Sequence, residues 1–221
     1  MLFRSDKTRT NAWCREHGLP TVRQAAPAAV LADPDAWRFP LIAKPVHGSA
    51  AIGVKRVADA DELRRVAGPD DVVEELAPGV EHTIDLLILA GALRCAVPRR
   101  RIEVRAGEVQ KAVTVRRDDL DDLARRVAAA LPGAFGALNV QAFLDERSGE
   151  LNVIELNARF GGGFPLADAA GARFPRWLLE HVLGLPSTAR ADFRDGLVML
   201  RYDEAVFVSA EAAGLLDPQP G

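Results

Sequence analysis

Cysteine is scarce in this sequence, and long apolar runs are absent. The two cysteines, Cys14 and Cys95, are far apart and form no CxxC motif, so neither a disulfide framework nor a zinc site is indicated. The four histidines show no metal-ligand spacing. No apolar run approaches about 18 residues, and the N-terminus has no apolar signal core. These absences favour a soluble, cytoplasmic protein that does not enter a membrane.

An excess of charge of one sign is also lacking. The chain has 28 basic and 31 acidic residues, which gives a net charge of −3 and no electrostatic footprint for nucleic acid or an anionic membrane. Any affinity for phosphate groups must therefore come from individually placed residues. The length of 221 residues, 48% of them hydrophobic, is enough for one large domain or two small ones with a real core.

The most informative stretch is GALNVQAFLDERSGELNVIELNARFGGG, residues 136–163. Two alternating apolar runs, Ala137–Leu144 and Leu151–Ala158, flank a polar loop and predict a β-hairpin. If the loop is centred on Ser148, directly opposed residues share a face of the hairpin. Four polar residues then lie on one face, and four apolar residues turn to a core. The polar set is Asn139, Gln141, Glu155 and Asn157; the apolar set is Val140, Ala142, Ile154 and Leu156.

The polar face of this hairpin suits a hard cation. Mg²⁺ takes oxygen ligands and keeps several waters, so one carboxylate and one or two amide oxygens suffice when phosphates supply the rest. A solvated strand face explains the same pattern. Arg159 continues that face, and Gly161–Gly163 follow where backbone can approach a ligand closely. The pattern alone leaves the two interpretations open.

Two lysines in the first part of the chain are candidates for phosphate contacts. Lys7 lies in the first turn of a helix predicted from a Ser5 cap to about His17, where the helix dipole favours anions instead. Lys44 lies in a short strand, Phe39–Pro45, before a small-residue loop from His47 to Gly53. Backbone N–H groups of such a loop can wrap phosphates, although a surface lysine and an ordinary glycine turn fit equally well.

Further elements follow from periodicity and turn residues. A short helix is predicted from Pro34, a capping-box helix from Asp59, and the clearest helix from an Asp118 cap to Leu131, with i,i+4 pairs Asp121–Arg125 and Asp122–Arg126. The other predicted elements are the strands Val54–Val57 and Asp71–Leu76, a hairpin about Gly91, a second hairpin turning at Ala106-Gly107, a helix Pro175–Leu183, and a last hairpin Gly196–Ser209 turning at Asp203-Glu204. The triplet Arg99–Arg101, which begins the second hairpin, fits a solvated sheet edge or a group that stabilises phosphoryl or carboxylate charge.

Four stretches occur together in one order: Asp6-Lys7, LIAKPVHGSAAIGV, VVEELAPGVEHTID and ALNVQAFL…NVIELNARFGGG. In that order and at those distances the chain resembles the ATP-grasp superfamily, in the branch of carbamoyl-phosphate synthetase and related carboxylate–amine ligases. Gln141, where the D-alanine ligase branch has an acid, favours the carbamoyl-phosphate-synthetase-like side. The resemblance covers nearly the whole chain.

The resemblance implies roles for fourteen residues, with ATP and Mg²⁺ (or Mn²⁺) as cofactors. Lys7 and Lys44 contact the phosphates, and the loop His47, Gly48, Ser49 to Gly53 forms a mobile flap over them. Glu74, with the backbone of Glu75 and Ala77, binds adenine, and Glu81 holds the ribose hydroxyls. Gln141, Glu155 and Asn157 bind the metal, while Arg159, with Lys44, stabilises the transferring phosphoryl group.

The fold that the resemblance implies is α+β, with two subdomains whose antiparallel sheets clamp the nucleotide. The expected organisation is an N-terminal helix and connector over residues 1–38, a lid subdomain over residues 39–75, and a central subdomain with the metal site over residues 76–221.

The implied reaction is ATP-dependent joining of a small-molecule carboxylate to an amine through an acylphosphate. ATP-grasp ligases carry an N-terminal domain ahead of the Asp-Lys motif that helps to form the acceptor site, and here only five residues precede Asp6. Three alternatives follow from this departure. A partner chain or homodimer supplies the missing domain, the chain is a fragment, or the protein has another use for ATP. The rival functions are a partner-dependent ATP·Mg-binding subunit and a phosphotransferase.

Overall fold

The structure is a computed structural model that describes residues 6–47, 52–105 and 107–210. The described residues form six α-helices, ten β-strands and a 3-10 turn at Pro34–Ala36. The helices are α1 (Lys7–Glu16), α2 (Pro27–Ala32), α3 (Ala60–Val66), α4 (Asp118–Ala129), α5 (Phe164–Ala169) and α6 (Phe174–Val182). The strands are β1 (Gln24–Ala25), β2 (Leu41–Pro45), β3 (Lys55–Val57), β4 (Asp71–Glu75), β5 (Val80–Leu89), β6 (Ala92–Arg105), β7 (Glu108–Thr114), β8 (Gly136–Leu144), β9 (Leu151–Asn157) and β10 (Val198–Leu200).

The smaller of the two sheets is antiparallel, with strand order β1-β4-β2-β3. Alternation along β2 sends Leu41 and Ala43 into a core with Val30 of α2 and Leu63 of α3. The intervening residues of β2 therefore face the other way, toward the rest of the molecule.

The larger sheet is also antiparallel, with strand order β10-β7-β6-β5-β8-β9. One face packs on α1 and α4 through a core that includes Trp13, Leu123 and Val140. The opposite face is covered at one end by α5 and α6, where Phe174 and Trp177 are buried. The uncovered end of that face carries polar residues. An α+β architecture of two antiparallel sheets is thus confirmed.

The central hairpin has the predicted register. Gln141 pairs with Glu155 and Asn139 with Asn157. One apolar assignment is wrong: the register shifts between Gln141 and Ala142, so that Ala142 pairs with Val153. Ile154 is therefore the extra residue of a β-bulge and turns toward the polar face, while Val153 takes the core position.

Two predicted helix starts are corrected by the structure. Asp6, not Ser5, caps α1, since its carboxylate accepts hydrogen bonds from the Arg9 N–H (2.9 Å) and the Thr8 hydroxyl (2.6 Å). Asp118 is the first residue of α4 and not its cap.

The pairs predicted on α4 have different outcomes. Burial raises the pKa of Asp121 and the charge of Arg125 opposes that rise, so these two residues interact, although not at ion-pair distance; Asp122–Arg126 is not among the ion pairs of the described residues. Arg126 donates to the carbonyl of Gly18 instead (2.6 Å), and Arg125 lies 3.9 Å from Asp122, one residue nearer in sequence.

Two predicted strand arrangements differ from the structure. The region after Gly91 is one continuous strand, β6, paired with β5 and β7, so the alternative of a solvated sheet edge for Arg99–Arg101 is wrong. The last predicted hairpin does not form within the residues described up to 210. Val198–Leu200 forms β10 and pairs with β7. A strand of three residues has few backbone groups on its outer edge to which a returning strand could hydrogen-bond.

Candidate functional site

A cleft of about 460 Å³ lies between the small sheet and the uncovered face of the large sheet. The strands bring together residues that are distant in sequence, because β2 and β4 form one wall and β5, β6, β8 and β9 form the floor. Nine of the predicted site residues line it: Lys7, Lys44, Glu74, Glu75, Ala77, Glu81, Gln141, Glu155 and Arg159.

The floor of the cleft is ordered by strand register. Thr83 of β5 pairs with Arg99 of β6 on one side and with Gln141 of β8 on the other, and Gln141 pairs with Glu155 of β9. Directly opposed residues point to the same face. These four side chains therefore form one polar row across four strands, which we call the central row.

The predicted metal ligands lie at the β8–β9 end of this floor. Glu155 has no hydrogen bond or ion pair with any other described residue, so its carboxylate is available to a cation. Asn157 is buried one row away, and its Nδ2 donates to Oδ1 of Asn139 (3.3 Å). The described residues contain no cluster of three or more His, Cys, Asp or Glu that could hold a metal. The predicted set of one carboxylate and two amides suits Mg²⁺ only where phosphates complete the shell.

The opposite wall carries the cations. The Lys44 ammonium lies 2.5 Å from Glu74, and both side chains are buried. The second oxygen of Glu74 accepts a hydrogen bond from Nε2 of Gln24 (2.6 Å), directly opposite on β1. Glu74, predicted to bind adenine, is therefore placed where it fixes Lys44.

Lys7 approaches the same wall from the start of α1. Its ammonium donates to the carbonyl of Pro45 at 2.9 Å. Burial, and next the charge of Lys44, lower the pKa of Lys7, while Glu155 and Glu74 act in the opposite direction. The two lysines and two carboxylates thus belong to one electrostatic cluster.

The remaining predicted base and ribose contacts lie near the junction of β4 and β5. The N–H of Glu75 donates to the carbonyl of Arg23 (3.1 Å), which leaves that N–H unavailable to a ligand. Glu81 forms an ion pair with Arg101. The apolar residues of the cleft were not anticipated from sequence. They are Ile42, Ile52, Val54, Leu76, Val104, Val109, Phe143 and Ile154.

Three predicted residues of the flap and metal set do not line the cleft, and two cannot be placed. His47 is exposed, Asn157 is buried beside Asn139 in the row next to the central row, and Gly53 packs against Pro45. A Cβ on Gly53 would come within 2.9 Å of the Pro45 ring, and its φ of +76° also favours glycine. Gly48 and Ser49 lie outside the described residues.

The glycine run after Arg159 has a reason that the sequence did not show. A Cβ on Gly163 would lie 2.2 Å from Nη1 of Arg99, and one on Gly162 would lie 2.1 Å from the carboxylate of Glu108. The glycines thus let backbone approach these two side chains, whereas the sequence predicted a close approach to a ligand. Arg159 itself is exposed and donates to the carbonyl of Phe160 (3.0 Å).

Arg99 and Asp85 are the residues of the floor that sequence reasoning did not place. Nε of Arg99 donates to Oδ2 of Asp85 at 2.7 Å, and each side chain is only 2% exposed. A signal was available: a hairpin centred on Gly91 sets Arg99 opposite Thr83, as the structure shows. That register would have placed the arginine in the central row.

Comparison with known proteins gives both a family match and structural neighbours. The model of a family described as "ATP-grasp in the biosynthetic pathway with Ter operon" matches residues 68–205, which is 138 of 221 residues. No curated protein matches the chain.

Similar solved structures include a biotin carboxylase domain and an N5-carboxyaminoimidazole synthase. One is the biotin carboxylase domain of 2-oxoglutarate carboxylase from Hydrogenobacter thermophilus, in complex with MgADP, ADP and bicarbonate. Its TM-score is 0.73 and its sequence identity is 17%, and the match covers 89% of this chain and 49% of that chain. The other is N5-carboxyaminoimidazole synthase from Aspergillus clavatus, in complex with ADP and 5-aminoimidazole ribonucleotide. Its TM-score is 0.72 and its sequence identity is 19%, and the match covers 89% of this chain and 56% of that chain. The chain thus spans about half the length of these proteins. On the family match, with this fold, the chain belongs to the ATP-grasp family.

Proposed function

We propose that the chain binds ATP with Mg²⁺ (or Mn²⁺) and activates a carboxylate for ligation to an amine or similar nucleophile. The observation that carries this proposal is the arrangement of charge across the cleft. Lys7 and Lys44 lie on one wall, and Glu155, which makes no hydrogen bond or ion pair with another described residue, lies on the floor. Cations suit the phosphates of ATP, and the carboxylate suits the metal that accompanies them.

The residues divide the work of binding between the two sheets. In this proposal Lys7 and Lys44 bind phosphate oxygens, and the apolar side chains around Ile42 and Phe143 enclose the base. Glu155, Gln141 and Asn157 hold the metal, which supplies charge neutralisation at the phosphates when bound. We propose that the predicted lid of residues 39–75, which carries three of the four strands of the small sheet, closes over the floor formed by residues 76–221.

The proposed chemistry needs positioning and charge stabilisation more than covalent help from the protein. A carboxylate oxygen of the substrate attacks the γ-phosphorus, and the bond from that phosphorus to ADP breaks. The amine then attacks the acyl carbon, and phosphate leaves as the amine gives up a proton to solvent. Arg159, exposed at the cleft, and Lys44 stabilise the charge on the transferring phosphoryl group.

A second candidate function is a nucleotide-binding subunit that needs a partner for turnover. The observation in its favour is that the chain covers only 49% and 56% of the two structural neighbours described above. A partner chain, or a second copy of this chain, would then complete the acceptor site. In the described residues no helix is long and apolar enough to cross a membrane; a cytoplasmic location stays a prediction.

The test is release of ADP by the full chain with Mg²⁺, a panel of carboxylates, and hydroxylamine as the nucleophile. An acylphosphate gives a hydroxamate and one phosphate for each ADP. Glu155→Gln should abolish turnover while the fold persists, and Glu146→Gln, in the exposed loop of the same hairpin, should retain it. Unchanged ADP release by Glu155→Gln would refute the metal assignment. ADP release with a stable phosphorylated product would favour a phosphotransferase.

A further inference from the structure

We propose that Arg99 forms a carboxylate-binding subsite on the cleft floor, separate from the lysines that face the nucleotide phosphates. The inference deepens the proposed function, on which it rests, because it assigns a binding residue to the carboxylate substrate. It starts from the way in which Arg99 is held.

Arg99 is buried, but only part of its hydrogen-bonding capacity is used. Nε donates to Asp85, and neither Nη1 nor Nη2 makes a hydrogen bond to any of the described residues. The side chain nevertheless lines the cleft. A guanidinium group cannot lose its proton, so four N–H donors remain for a ligand. Among the described residues Nε of Arg101 is the buried side-chain atom without a hydrogen-bond partner, so the Nη groups of Arg99 are not sealed off and a ligand in the cleft can reach them.

The glycine loop holds these donors in place. The backbone at Gly163 leaves no room for a Cβ beside Nη1, and a Cβ on Gly161 would lie 3.2 Å from Nη2. The bond to Asp85 fixes the Nε edge of the same planar group. The Nε edge of the guanidinium is bonded to Asp85, and the glycine loop packs against its Nη groups. The two Nη groups therefore have a defined direction, as bidentate binding requires.

The local charges favour a monoanion. Asp85 already balances the charge of Arg99, and the Glu108 carboxylate lies against the neighbouring glycine loop. Glu108 is in turn paired with Arg201 (3.6 Å), so the two arginines and two carboxylates here balance, and this leaves no excess positive charge for a dianionic phosphate. A carboxylate carries one negative charge, and its two oxygens match the Nη fork.

The subsite lies on the same floor as the proposed metal ligands. Arg99 and Glu155 occupy opposite ends of the central row, three strand spacings apart, which is about 14 Å between backbones. An arginine side chain covers roughly half of that span. A carboxylate bound by Arg99 would therefore lie between the arginine and the metal ligands, where the phosphoryl group is transferred.

The experiment is calorimetric titration of acetate, succinate and inorganic phosphate into the full chain saturated with Mg·ADP. Each anion is taken to about 50 mM, which covers millimolar dissociation constants. The wild type should bind at least one of the carboxylates; phosphate, which the lysines can bind, is the probe for binding that does not depend on Arg99. Arg99→Lys keeps the charge beside Asp85 but lacks the fork, so its affinity should fall at least about tenfold. Arg100→Lys, the exposed neighbour, is the matched control and should bind as the wild type does.

A second variant removes both buried charges, so that neither is left unpaired. Asp85→Asn/Arg99→Gln should bind Mg·ADP and lose the carboxylates. Equal carboxylate affinity in Arg99→Lys and the wild type would overturn the subsite, and so would binding of neither carboxylate by the wild type or a loss of phosphate affinity in Arg99→Lys as large as that of the carboxylates.

Failure of the subsite can be told apart from failure of the proposed function. A separate titration of Mg·ADP, made before the anions are added, reports nucleotide binding, which the subsite does not determine. Loss of nucleotide binding in the wild type would overturn the proposed function. Arg99-dependent binding of a carboxylate would support the subsite even then.

Discussion

Two buried ion pairs flank the cleft, Lys44–Glu74 on the wall and Arg99–Asp85 on the floor. Their carboxylates bind the two cations in different ways. On the small sheet, both oxygens of Glu74 are engaged, one by the Lys44 ammonium (2.5 Å) and one by Gln24 (2.6 Å). On the large sheet, Asp85 takes only the Nε–H of Arg99 (2.7 Å). Glu74 therefore has both oxygens bonded. Asp85 bonds only the Nε–H of Arg99 and leaves the Nη groups of that arginine to the cleft.

The difference follows from the chemistry of the two cations. An ammonium is a compact point charge whose position must be fixed by its surroundings, and Gln24 and Glu74 fix it. A guanidinium has several donors in one plane, so a single bond at Nε can orient the rest. The lysine wall thus suits a multiply charged phosphate chain, and the arginine floor suits directional recognition of a planar anion.

Removal of the arginine's partner should have the largest effect on stability. Asp85→Ala leaves a buried guanidinium that cannot neutralise by losing a proton, so the free energy of unfolding should fall by about 3–5 kcal/mol. Denaturant unfolding measures the loss. Asp122→Ala, on the exposed side of α4, should change stability by less than about 0.5 kcal/mol. A loss below about 1 kcal/mol in Asp85→Ala would mean that Arg99 is hydrated and not buried.

Removal of Glu74, the partner of Lys44, should lower the free energy of unfolding by less than removal of Asp85 does. In Glu74→Ala the ammonium, a compact charge on a flexible stem, can turn toward the open cleft and water, so we expect the free energy of unfolding to fall by about 2 kcal/mol. The same unfolding measurement, with the exposed Asp61→Ala as control, compares the two pairs directly. A loss equal to that of Asp85→Ala would remove the proposed distinction between the two cations.

The Gln24 contact should contribute least of the three to stability. Gln24→Ala removes one hydrogen bond to a charged group, which is worth about 1.5 kcal/mol. Its effect should nearly disappear in a Glu74→Ala background, since the two residues act on the same carboxylate. An additive double mutant would show that Gln24 stabilises β1 for another reason.

The charge of Lys7 should make nucleotide binding sensitive to alkaline pH. Burial and the nearby Lys44 lower the pKa of Lys7, so it should lose its proton at a lower pH than an ordinary lysine, whose pKa is about 10.4. Mg·ATP affinity should then weaken by about fivefold, close to 1 kcal/mol, as pH rises through that lowered value. Lys7→Arg should remove the weakening. The same pH dependence in that variant would assign the titration to another group.

Local pattern was sufficient to predict the half of the central row that lies on the β8–β9 hairpin. The loop centre at Ser148 sets Gln141 opposite Glu155, and the structure has that pairing. The same reasoning about Gly91 would have placed Arg99 opposite Thr83, but the continuous strand β6 was divided into two in the prediction. Register is a local property of a hairpin, which is why it can be predicted from sequence.

The rest depends on contacts between distant parts of the chain. Gln24 meets Glu74 only because β1 joins the edge of the small sheet, and a two-residue strand leaves no periodic signal. The bulge that turns Ile154 into the cleft interrupts an otherwise regular alternation. Gly163 is explained by Arg99, sixty-four positions earlier, and no local pattern reports such a contact.

The most direct test of nucleotide and metal binding is calorimetric titration of ATP into the chain with and without Mg²⁺. The wild type should bind ATP in a magnesium-dependent manner, and Glu155→Gln should lose that dependence while Glu146→Gln keeps it. Absence of ATP binding, or binding that is equally strong without magnesium and in Glu155→Gln, would contradict the proposal that the cleft holds ATP with its metal.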